Sequence, residues 1–252
     1  MLKTLKSAIK GIAHCSGYRI VRLPVPQAPV IKHPLYEPVT PRADYAPWNS
    51  DDLFLSVYES VRNDTKVDIY RCWELWTLVE QSSKLAGNII EIGVWRGGTG
   101  ALMAKRAALS GIDATIYLCD TFRGVVKAGL HDTYYKGGEL ATSRQSVDAL
   151  VQRFQLNNVQ ILEGIFPDET ARLIDERHAR FRLCHIDVDV YQSAKDILDW
   201  VWGRMVAGGV IVYDDYGFNG CQGITKLVND QKNQTDRLVL HNLNGHALVV
   251  KL

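Results

Sequence analysis

Apolar residues in this chain occur in short continuous runs, and the stretches between the runs have helix-like spacing. The runs at 89–94, 116–119 and 183–190 are rich in Ile, Val and Leu and have the length of buried strands. Between them, apolar residues recur every three or four positions, which is typical of amphipathic helices. This alternation predicts an α/β fold with a mostly parallel sheet and helices on both faces.

The remaining predicted elements continue this order. Two helices, 51–61 and 67–84, precede the first strand. Further strands are predicted at 159–162, 210–213, 237–242 and 246–251, and further helices at 143–154, 168–178, 193–206 and 223–231. The last two strands meet at Asn244-Gly245, a dipeptide that favours a hairpin turn. The sequence therefore predicts a seven-stranded Rossmann-like sheet that ends in an antiparallel hairpin.

Two stretches lack this regular pattern. Residues 1–47 hold a short basic amphipathic segment and seven of the eight prolines, which predicts an N-terminal helix and an extended arm ahead of a domain at 48–252. The helix could lie on an anionic membrane surface, but its short apolar stripe favours packing on the protein or on a partner subunit. Residues 122–135 have little periodicity and suggest a mobile flap.

Composition narrows the class of protein. The chain has 252 residues, a net charge of +1 and no basic stripe, so nothing favours nucleic acid as a partner. Its five cysteines are scattered without zinc spacing, which favours a reducing cytoplasm. No apolar run approaches the ~20 residues that span a bilayer. We therefore expect a cytoplasmic protein.

Acidic residues follow two of the predicted strands. Asp187 and Asp189 end the run at 183–190, and Asp214 and Asp215 follow the run at 210–213. A helix joins the two strands, so they should be parallel neighbours whose carboxyl ends meet at one sheet edge. Clustered carboxylates repel one another unless a cation compensates them. This pattern predicts a site for a hard divalent ion such as Mg²⁺, Mn²⁺ or Ca²⁺.

A glycine-rich turn follows the first strand. Glu91, Gly93, Gly97, Gly98 and Gly100 give the pattern E-x-G-x-x-x-G-G-x-G, which is not the dinucleotide fingerprint. Glycines here allow a ligand to approach the backbone and the helix N-terminus. The next strand ends at an acidic residue, Asp120, which suits the two hydroxyls of a ribose. Together these features favour a nucleoside-containing cofactor.

Five motifs in this order resemble the macrocin-type sugar O-methyltransferase family of class I S-adenosylmethionine-dependent methyltransferases. They are EIGVWRGG at 91–98, CDTFRG at 119–124, EGIFPD at 163–168, HIDVDVYQSAKD at 185–196 and AGGVIVYDDYG at 207–217. The resemblance covers residues 64–252 and departs at Ala194, where the family more often has Thr. It implies methylation of a sugar hydroxyl of a glycosylated natural product, a surface glycan or a glycolipid.

The resemblance also implies roles for individual residues. Asp187, Asp214 and Asp215 match the ligands of Mg²⁺ (or Mn²⁺), and Asp189 matches the catalytic base. On a strand, alternate residues share a face, so Asp189 could instead be a further metal ligand. His185, in mid-strand, is expected to be a core or supporting histidine. The residues expected to bind S-adenosylmethionine are Glu91, Gly93, Val94, Trp95, Gly97, Gly98, Asp120, Thr121, Phe122, Gly164, Ile165, Phe166 and Asp187, with Thr65 and Tyr70 as weaker candidates.

Two other functions remain open at this point. A metal-dependent phosphoryl-transfer enzyme would fit a doubly wound sheet, although the phosphate-binding loop pattern is absent. A non-catalytic binding subunit could keep the fold, but all four carboxylates are present. The acceptor sugar has no decodable motif, and the segment 123–144 together with the proline-rich arm would shape its pocket. We expect a homodimer or a higher homo-oligomer.

Overall fold

A seven-stranded sheet organises the larger of two units, which span Met1–Glu37 and Pro38–Leu252. The computed structural model describes residues 35–37, 39, 43–174 and 179–252. The predicted N-terminal helix and most of the proline-rich arm lie outside the described residues, so the boundary at Trp48 stays a prediction. Among the described residues, no helix is long and apolar enough to cross a membrane.

The strands confirm the predicted sheet. In chain order they are β1 (Asn88–Ile92), β2 (Ile116–Asp120), β3 (Val159–Glu163), β4 (Phe181–Ile186), β5 (Met205–Tyr213), β6 (Arg237–His241) and β7 (Ala247–Lys251). Their order across the sheet is β3-β2-β1-β4-β5-β7-β6. The first five strands pair in parallel, and β7 pairs antiparallel with both β5 and β6. The sheet direction therefore changes only at the C-terminal hairpin.

Six α-helices lie in the described part of the chain, two of them ahead of β1 and four after it. They are α1 (Asp52–Val61), α2 (Ile69–Gln81), α3 (Gly98–Leu109), α4 (Arg144–Phe154), α5 (Tyr191–Val201) and α6 (Gln222–Asp230). Three of these helices have a side-chain N-cap. Their N-cap residues, Asp51, Asp68 and Ser143, each accept a hydrogen bond from a backbone N–H of the first turn. Short 3₁₀ turns extend the ends of α2, α5 and α6.

Alternation along the strands divides the core into two layers. Ile89 and Leu183 face the layer that contains α1 to α4, and their neighbours Ile90 and Cys184 face the layer that contains α5 and α6. Successive side chains of a strand point to opposite faces, so β1 and β4 each supply both layers. The two layers are the reason why the strands read as continuous apolar runs.

The prediction of a helix at 168–178 is wrong for residues 168–174, which the structure describes. Residues 168–170 form turns, and a 3₁₀ helix follows at Ala171–Leu173; residues 175–178 are outside the described residues. Ile174 is extended and buried in the α5/α6 layer, while Leu173 beside it is exposed. Burial of Ile174 takes the chain out of helical geometry after about one turn.

Two boundaries around α5 are also corrected. The strand predicted at 183–190 ends at Ile186, because the chain turns at Val188 to Val190 and Asp189 has a left-handed backbone. The helix predicted at 193–206 ends at Val201. Gly208 and Gly209, expected to end that helix, lie within β5. A Cβ on Gly209 would come 2.9 Å from the Val206 carbonyl oxygen of the same strand and 3.2 Å from that of Phe181 in β4, so the backbone on both sides leaves little room for a side chain.

Candidate active site

The carboxyl ends of β1, β4 and β5 are aligned by backbone hydrogen bonds that continue past the strands. The amide of Asp187 donates to the Ile92 carbonyl at 2.9 Å, and the amide of Asp214 donates to the Ile186 carbonyl at 3.0 Å. Gly93 lies so close to this edge that a Cβ would stand 1.6 Å from the Asp187 carbonyl oxygen. The glycine turn and the acidic residues therefore meet at one point of the sheet.

The four predicted carboxylates come together there. Asp187, Asp214 and Asp215 each offer an oxygen within 4.8 Å of the others. Asp189 is buried beside them, and its amide donates to Asp215 Oδ2 at 2.8 Å. The thiol of Cys221, ahead of α6, lies 3.7 Å from Asp215 Oδ1. Because Asp189 follows the strand, the alternation of a strand does not decide whether it shares a face with Asp187.

Charge is unevenly distributed over this cluster. Burial and the charges of Asp214 and Asp215 raise the pKa of Asp187 well above its usual range, and burial and the neighbouring Asp189 do the same for Asp215. Burial raises the pKa of Asp189 to about 6, although hydrogen bonds from Tyr135 oppose the shift. The positive charges of Arg71 and Lys66 offset only part of this effect, so the pKa values of the three carboxylates remain raised.

Asp214 differs from the other three because cationic and ring N–H groups hold it. Burial disfavours its ionised form, but hydrogen bonds from His185 and His246 and the charge of Arg71 keep the pKa of Asp214 well below its usual range. His246 Nε2 lies 2.9 Å from Asp214 Oδ1, and Arg71 of α2 forms an ion pair with Oδ2. The sequence pattern did not indicate Arg71, His246 or Glu74. Glu74 contacts His246 Nδ1.

Glu91 lies beneath the glycine turn and has no exposed surface. His185 Nδ1 is 2.9 Å from Glu91 Oε1, and a Cβ on Gly100 would come 2.6 Å from Oε2. Burial opposes protonation of His185, but the carboxylates of Asp214 and Glu91 raise its pKa to about 9. The pair therefore forms a buried ion pair that supports β1 and β4, in keeping with the supporting role expected for His185.

The turn after β1 is formed by contacts with neighbouring loops. Gly97 caps α3 with a positive φ of 92°. The amide of Gly98 donates to the Asp64 carbonyl at 2.9 Å, and a Cβ on Gly98 would come 2.8 Å from Thr65 Cβ. The structure thus brings Thr65 to the glycine turn. Tyr70 is half exposed, and its ring packs edge-on against Trp48 at 5.1 Å.

Asp120 ends β2 and organises two adjacent turns. Its carboxylate accepts the amides of Trp95 at 2.8 Å and of Phe122 at 2.6 Å, while its carbonyl accepts the amide of Gly164 at 2.9 Å. Burial raises the pKa of Asp120, and the backbone donors oppose that shift. Each carboxylate oxygen keeps a second lone pair for a ligand hydroxyl. The hydroxyl of Thr121 donates to the Gly124 carbonyl in the same turn.

The remaining predicted donor residues lie after β3. Gly164 has a positive φ of 143°, and the amide of Ile165 donates to Glu169 Oε2 at 2.8 Å. Val94 and Phe166 are both buried. The Phe166 ring packs edge-on against Trp200 of α5 at 4.9 Å, so this side chain is part of the core.

The predicted mobile flap is docked on the N-termini of α5 and α6. We call residues 121–143 the docked loop. Asp132 is buried, and its carboxylate accepts the amide of Tyr191 at 2.9 Å and that of Gly129 at 2.9 Å. Val190, the N-cap residue of α5, makes no side-chain cap, so Asp132 satisfies an orphan donor of that helix. Ser193 Oγ donates to the Val126 carbonyl at 2.8 Å and fixes the loop further.

A parallel sheet with an antiparallel C-terminal hairpin, a glycine turn after β1 and an acidic end of β2 define a class I methyltransferase fold. A family model described as Macrocin-O-methyltransferase (TylF) matches residues 71–244. The match spans well over half of the chain, and the protein belongs to this family.

Two curated relatives are O-methyltransferases. An 8-demethyl-8-(2,3-dimethoxy-alpha-L-rhamnosyl)-tetracenomycin-C 4'-O-methyltransferase of Streptomyces olivaceus is 31% identical over 150 residues, 54% of this chain and 55% of that protein. A demethyldecarbamoylnovobiocin O-methyltransferase of Streptomyces niveus is 28% identical over 181 residues, 63% of this chain and 68% of that protein. The chain thus matches only about half the length of the first relative.

A solved structure has the same fold. The O-methyltransferase NovP superposes with a TM-score of 0.62 at 23% identity, over 75% of this chain and 81% of that chain. At this identity the likeness concerns the fold alone.

Proposed function

We propose that this protein transfers a methyl group from S-adenosylmethionine to a sugar hydroxyl of a glycosylated natural product, with the help of Mg²⁺ or Mn²⁺. The observation that carries the proposal is the convergence of Asp187, Asp189 and Asp215 beside the glycine turn at one sheet edge. Family membership supports the reaction type, and the rhamnosyl-tetracenomycin acceptor of the Streptomyces olivaceus relative supports an antibiotic sugar as the acceptor. A surface glycan or glycolipid is the acceptor to test next.

The glycine turn and the turn after β2 are the proposed donor site. S-adenosylmethionine, when bound, supplies a sulfonium methyl group: an aligned nucleophile attacks the methyl carbon, and S-adenosylhomocysteine is the leaving group. Gly93 and Gly97 keep this part of the edge free of side chains, and Asp120 retains lone pairs for the ribose hydroxyls. Thr65 closes one side of the turn. Glu91 supports the turn from below, and its contact with His185 holds Glu91 in place.

The carboxylates fit a hard divalent cation. Asp187, Asp214 and Asp215 offer three oxygens within 4.8 Å of one another, which is the ligand type that Mg²⁺ and Mn²⁺ prefer. The raised pKa values of Asp187 and Asp215 reflect their burial and the neighbouring negative charge, and a bound cation would favour their ionised forms. When bound, such a cation lowers the pKa of an acceptor hydroxyl and fixes its orientation.

Asp189 is the proposed general base. It lies next to Asp215, and the Tyr135 hydroxyl of the docked loop donates a hydrogen bond to it. Burial and the charge of Asp189 raise the pKa of Tyr135, so that hydroxyl remains a donor. The left-handed backbone of Asp189, with φ 65°, costs about 1–2 kcal/mol for a non-glycine residue. Backbone strain of this kind is typical of functional sites. In this role Asp189 accepts the proton as the hydroxyl is methylated.

The test is a methyl-transfer assay with labelled S-adenosylmethionine and a panel of deoxysugar-bearing antibiotics, nucleotide sugars and glycan extracts. We expect labelled product from at least one sugar acceptor, loss of turnover in chelator, and recovery with Mg²⁺ or Mn²⁺. Asp199→Asn, at an exposed position of α5, serves as the matched control for Asp189→Asn. Full turnover in chelator would contradict the cation, and methylation of non-sugar hydroxyls only would contradict the acceptor class.

A further inference from the structure

A chain of polar contacts connects the C-terminal hairpin to the carboxylate cluster. The Asn242 amide donates to both Glu74 oxygens, at 3.0 and 2.8 Å. Glu74, on α2, contacts His246 Nδ1, and His246 Nε2 lies 2.9 Å from Asp214 Oδ1. Arg71, one helical turn before Glu74, holds Asp214 Oδ2. Both oxygens of the Asp214 carboxylate are thus contacted by residues from outside β1, β4 and β5.

The sheet register puts His246 opposite Asp214. Tyr213, the last residue of β5, pairs with Ala247, the first residue of β7, in an antiparallel ladder. One step beyond this pair, Asp214 and His246 face each other at the open end. His246 has no exposed surface and Asp214 is 4% exposed, so the contact is protected from water. In such surroundings a hydrogen bond orients its acceptor more strongly than at the surface.

The contacts of the Asp214 carboxylate leave it able to bind a further group. Each oxygen has two lone pairs: Oδ1 faces His246 at 2.9 Å and, at a longer 3.6 Å, His185, while Oδ2 accepts only Arg71 among the described residues. Oδ2 therefore keeps a free lone pair, and Asp187 and Asp215 each offer an oxygen within 4.8 Å of an Asp214 oxygen. A carboxylate bound to a metal is commonly oriented in this way by hydrogen-bonding partners behind it.

We infer that His246 and Glu74 are positioning residues for Asp214, and that the Glu74–His246 pair orients this carboxylate toward the divalent cation. The inference rests on the cation of the proposed function. Asn242 holds Glu74 in place through its two hydrogen bonds. The hairpin turn therefore helps to support the site, although it is distant in sequence from the ends of β4 and β5. In this arrangement Glu74 and His246 act through Asp214.

The test measures Mn²⁺ affinity by electron paramagnetic resonance on the full chain, with wild type, His246→Ala, His246→Gln and Glu74→Ala. His246→Ala and Glu74→Ala should weaken Mn²⁺ binding about 10–100-fold, the usual effect of removing such support. His246→Gln keeps an N–H toward Asp214 and should recover part of the affinity. His241→Ala, an exposed histidine of β6, is the matched control and should bind Mn²⁺ as the wild type does.

Binding of S-adenosylhomocysteine, measured by calorimetry, separates positioning from general damage. A positioning role predicts loss of Mn²⁺ affinity with donor-site affinity unchanged. Equal loss of both ligands, or wild-type Mn²⁺ affinity in His246→Ala and Glu74→Ala, would overturn the inference and leave the proposed function intact. Absence of Mn²⁺ binding in the wild type would overturn both. If His246→Ala does not fold, Glu74→Ala decides alone, because Glu74 is 25% exposed and tolerates truncation better.

Discussion

At the residue scale, the four carboxylates of the edge divide into one that is strongly compensated and three that are compensated only in part. His185, His246 and Arg71 lower the pKa of Asp214, whereas burial and like charges raise the pKa of Asp187 and Asp215. Removing a compensated, buried carboxylate also strands its cationic partners. Substitution of Asp214 therefore affects stability as well as cation binding, and Asp187 and Asp215 are the cleaner positions for testing the metal.

Asp189→Asn should separate the base from the ligands. We expect turnover to fall about 10²–10⁴-fold, because the amide cannot accept the proton, while the affinities for donor and Mn²⁺ remain near wild type. Single-turnover kinetics with calorimetry of both ligands makes the measurement. Weaker Mn²⁺ binding, with turnover rescued at saturating metal, would instead identify Asp189 as a ligand.

Gly93→Ala should destabilise the protein although the site carries no new charge. Its φ is +92°, and the added Cβ would meet the Asp187 carbonyl oxygen at 1.6 Å. Left-handed strain of about 1–2 kcal/mol and overpacking of about 1–3 kcal/mol give a loss of roughly 2–5 kcal/mol in the free energy of unfolding. Urea denaturation measures it, with Gly203→Ala as control, since a Cβ there meets nothing within 4 Å. Similar stability of the two variants would contradict the close approach.

The sequence predicts the carboxylates but not the residues that hold them. Asp187, Asp189, Asp214 and Asp215 follow apolar runs, and parallel topology alone brings such positions together. The Arg71–Asp214 contact spans 143 positions along the chain, and no periodicity encodes it. A usable signal was present on α2, where Arg71 and Glu74, three positions apart, interrupt an otherwise apolar helix face.

At the element scale, the positions of β1, β2 and β4 were predictable because these central strands are buried on both faces. The errors occur where tertiary contacts override local pattern. The segment 168–174 contains a good helical composition, yet burial of Ile174 redirects it. The docked loop has no periodicity and suggested mobility, yet buried contacts with α5 hold it. Asp132, the residue that makes these contacts, is a single acidic position without any spacing motif to mark it.

Asp132→Ala should release the docked loop. The change removes acceptors for the amides of Tyr191 and Gly129 in two part-buried hydrogen bonds, each of which contributes about 0.5–1.5 kcal/mol. We expect faster amide hydrogen exchange in residues 125–139 and a KM for the acceptor raised several-fold, with donor affinity unchanged. Asp148→Ala, at a half-exposed position of α4, is the control. Unchanged exchange in the loop would show that other contacts hold it.

At the scale of the whole molecule, the open sheet edge connects chemistry to stability. Three strand ends, α2, the docked loop and the C-terminal hairpin all contribute side chains to one buried acidic cluster. Such a cluster opposes folding until its charge is compensated. A cation that binds only the folded chain should therefore stabilise the entire domain.

Mn²⁺ should raise the melting temperature of the wild type in the absence of donor and acceptor. At a concentration about 100-fold above the dissociation constant, binding contributes about 2.7 kcal/mol. For a domain of this size about 1 kcal/mol corresponds to about 2–4 °C, so the expected shift is roughly 5–10 °C. Asp215→Asn should abolish most of the shift, because it removes a ligand oxygen without stranding an arginine, and Asp199→Asn should keep it. Calorimetric melting with chelator and with Mn²⁺ makes the comparison. S-adenosylhomocysteine is a control ligand and should stabilise both proteins alike, because it binds at the glycine turn. Equal Mn²⁺ shifts in wild type and Asp215→Asn would mean that the cation stabilises the domain from another surface.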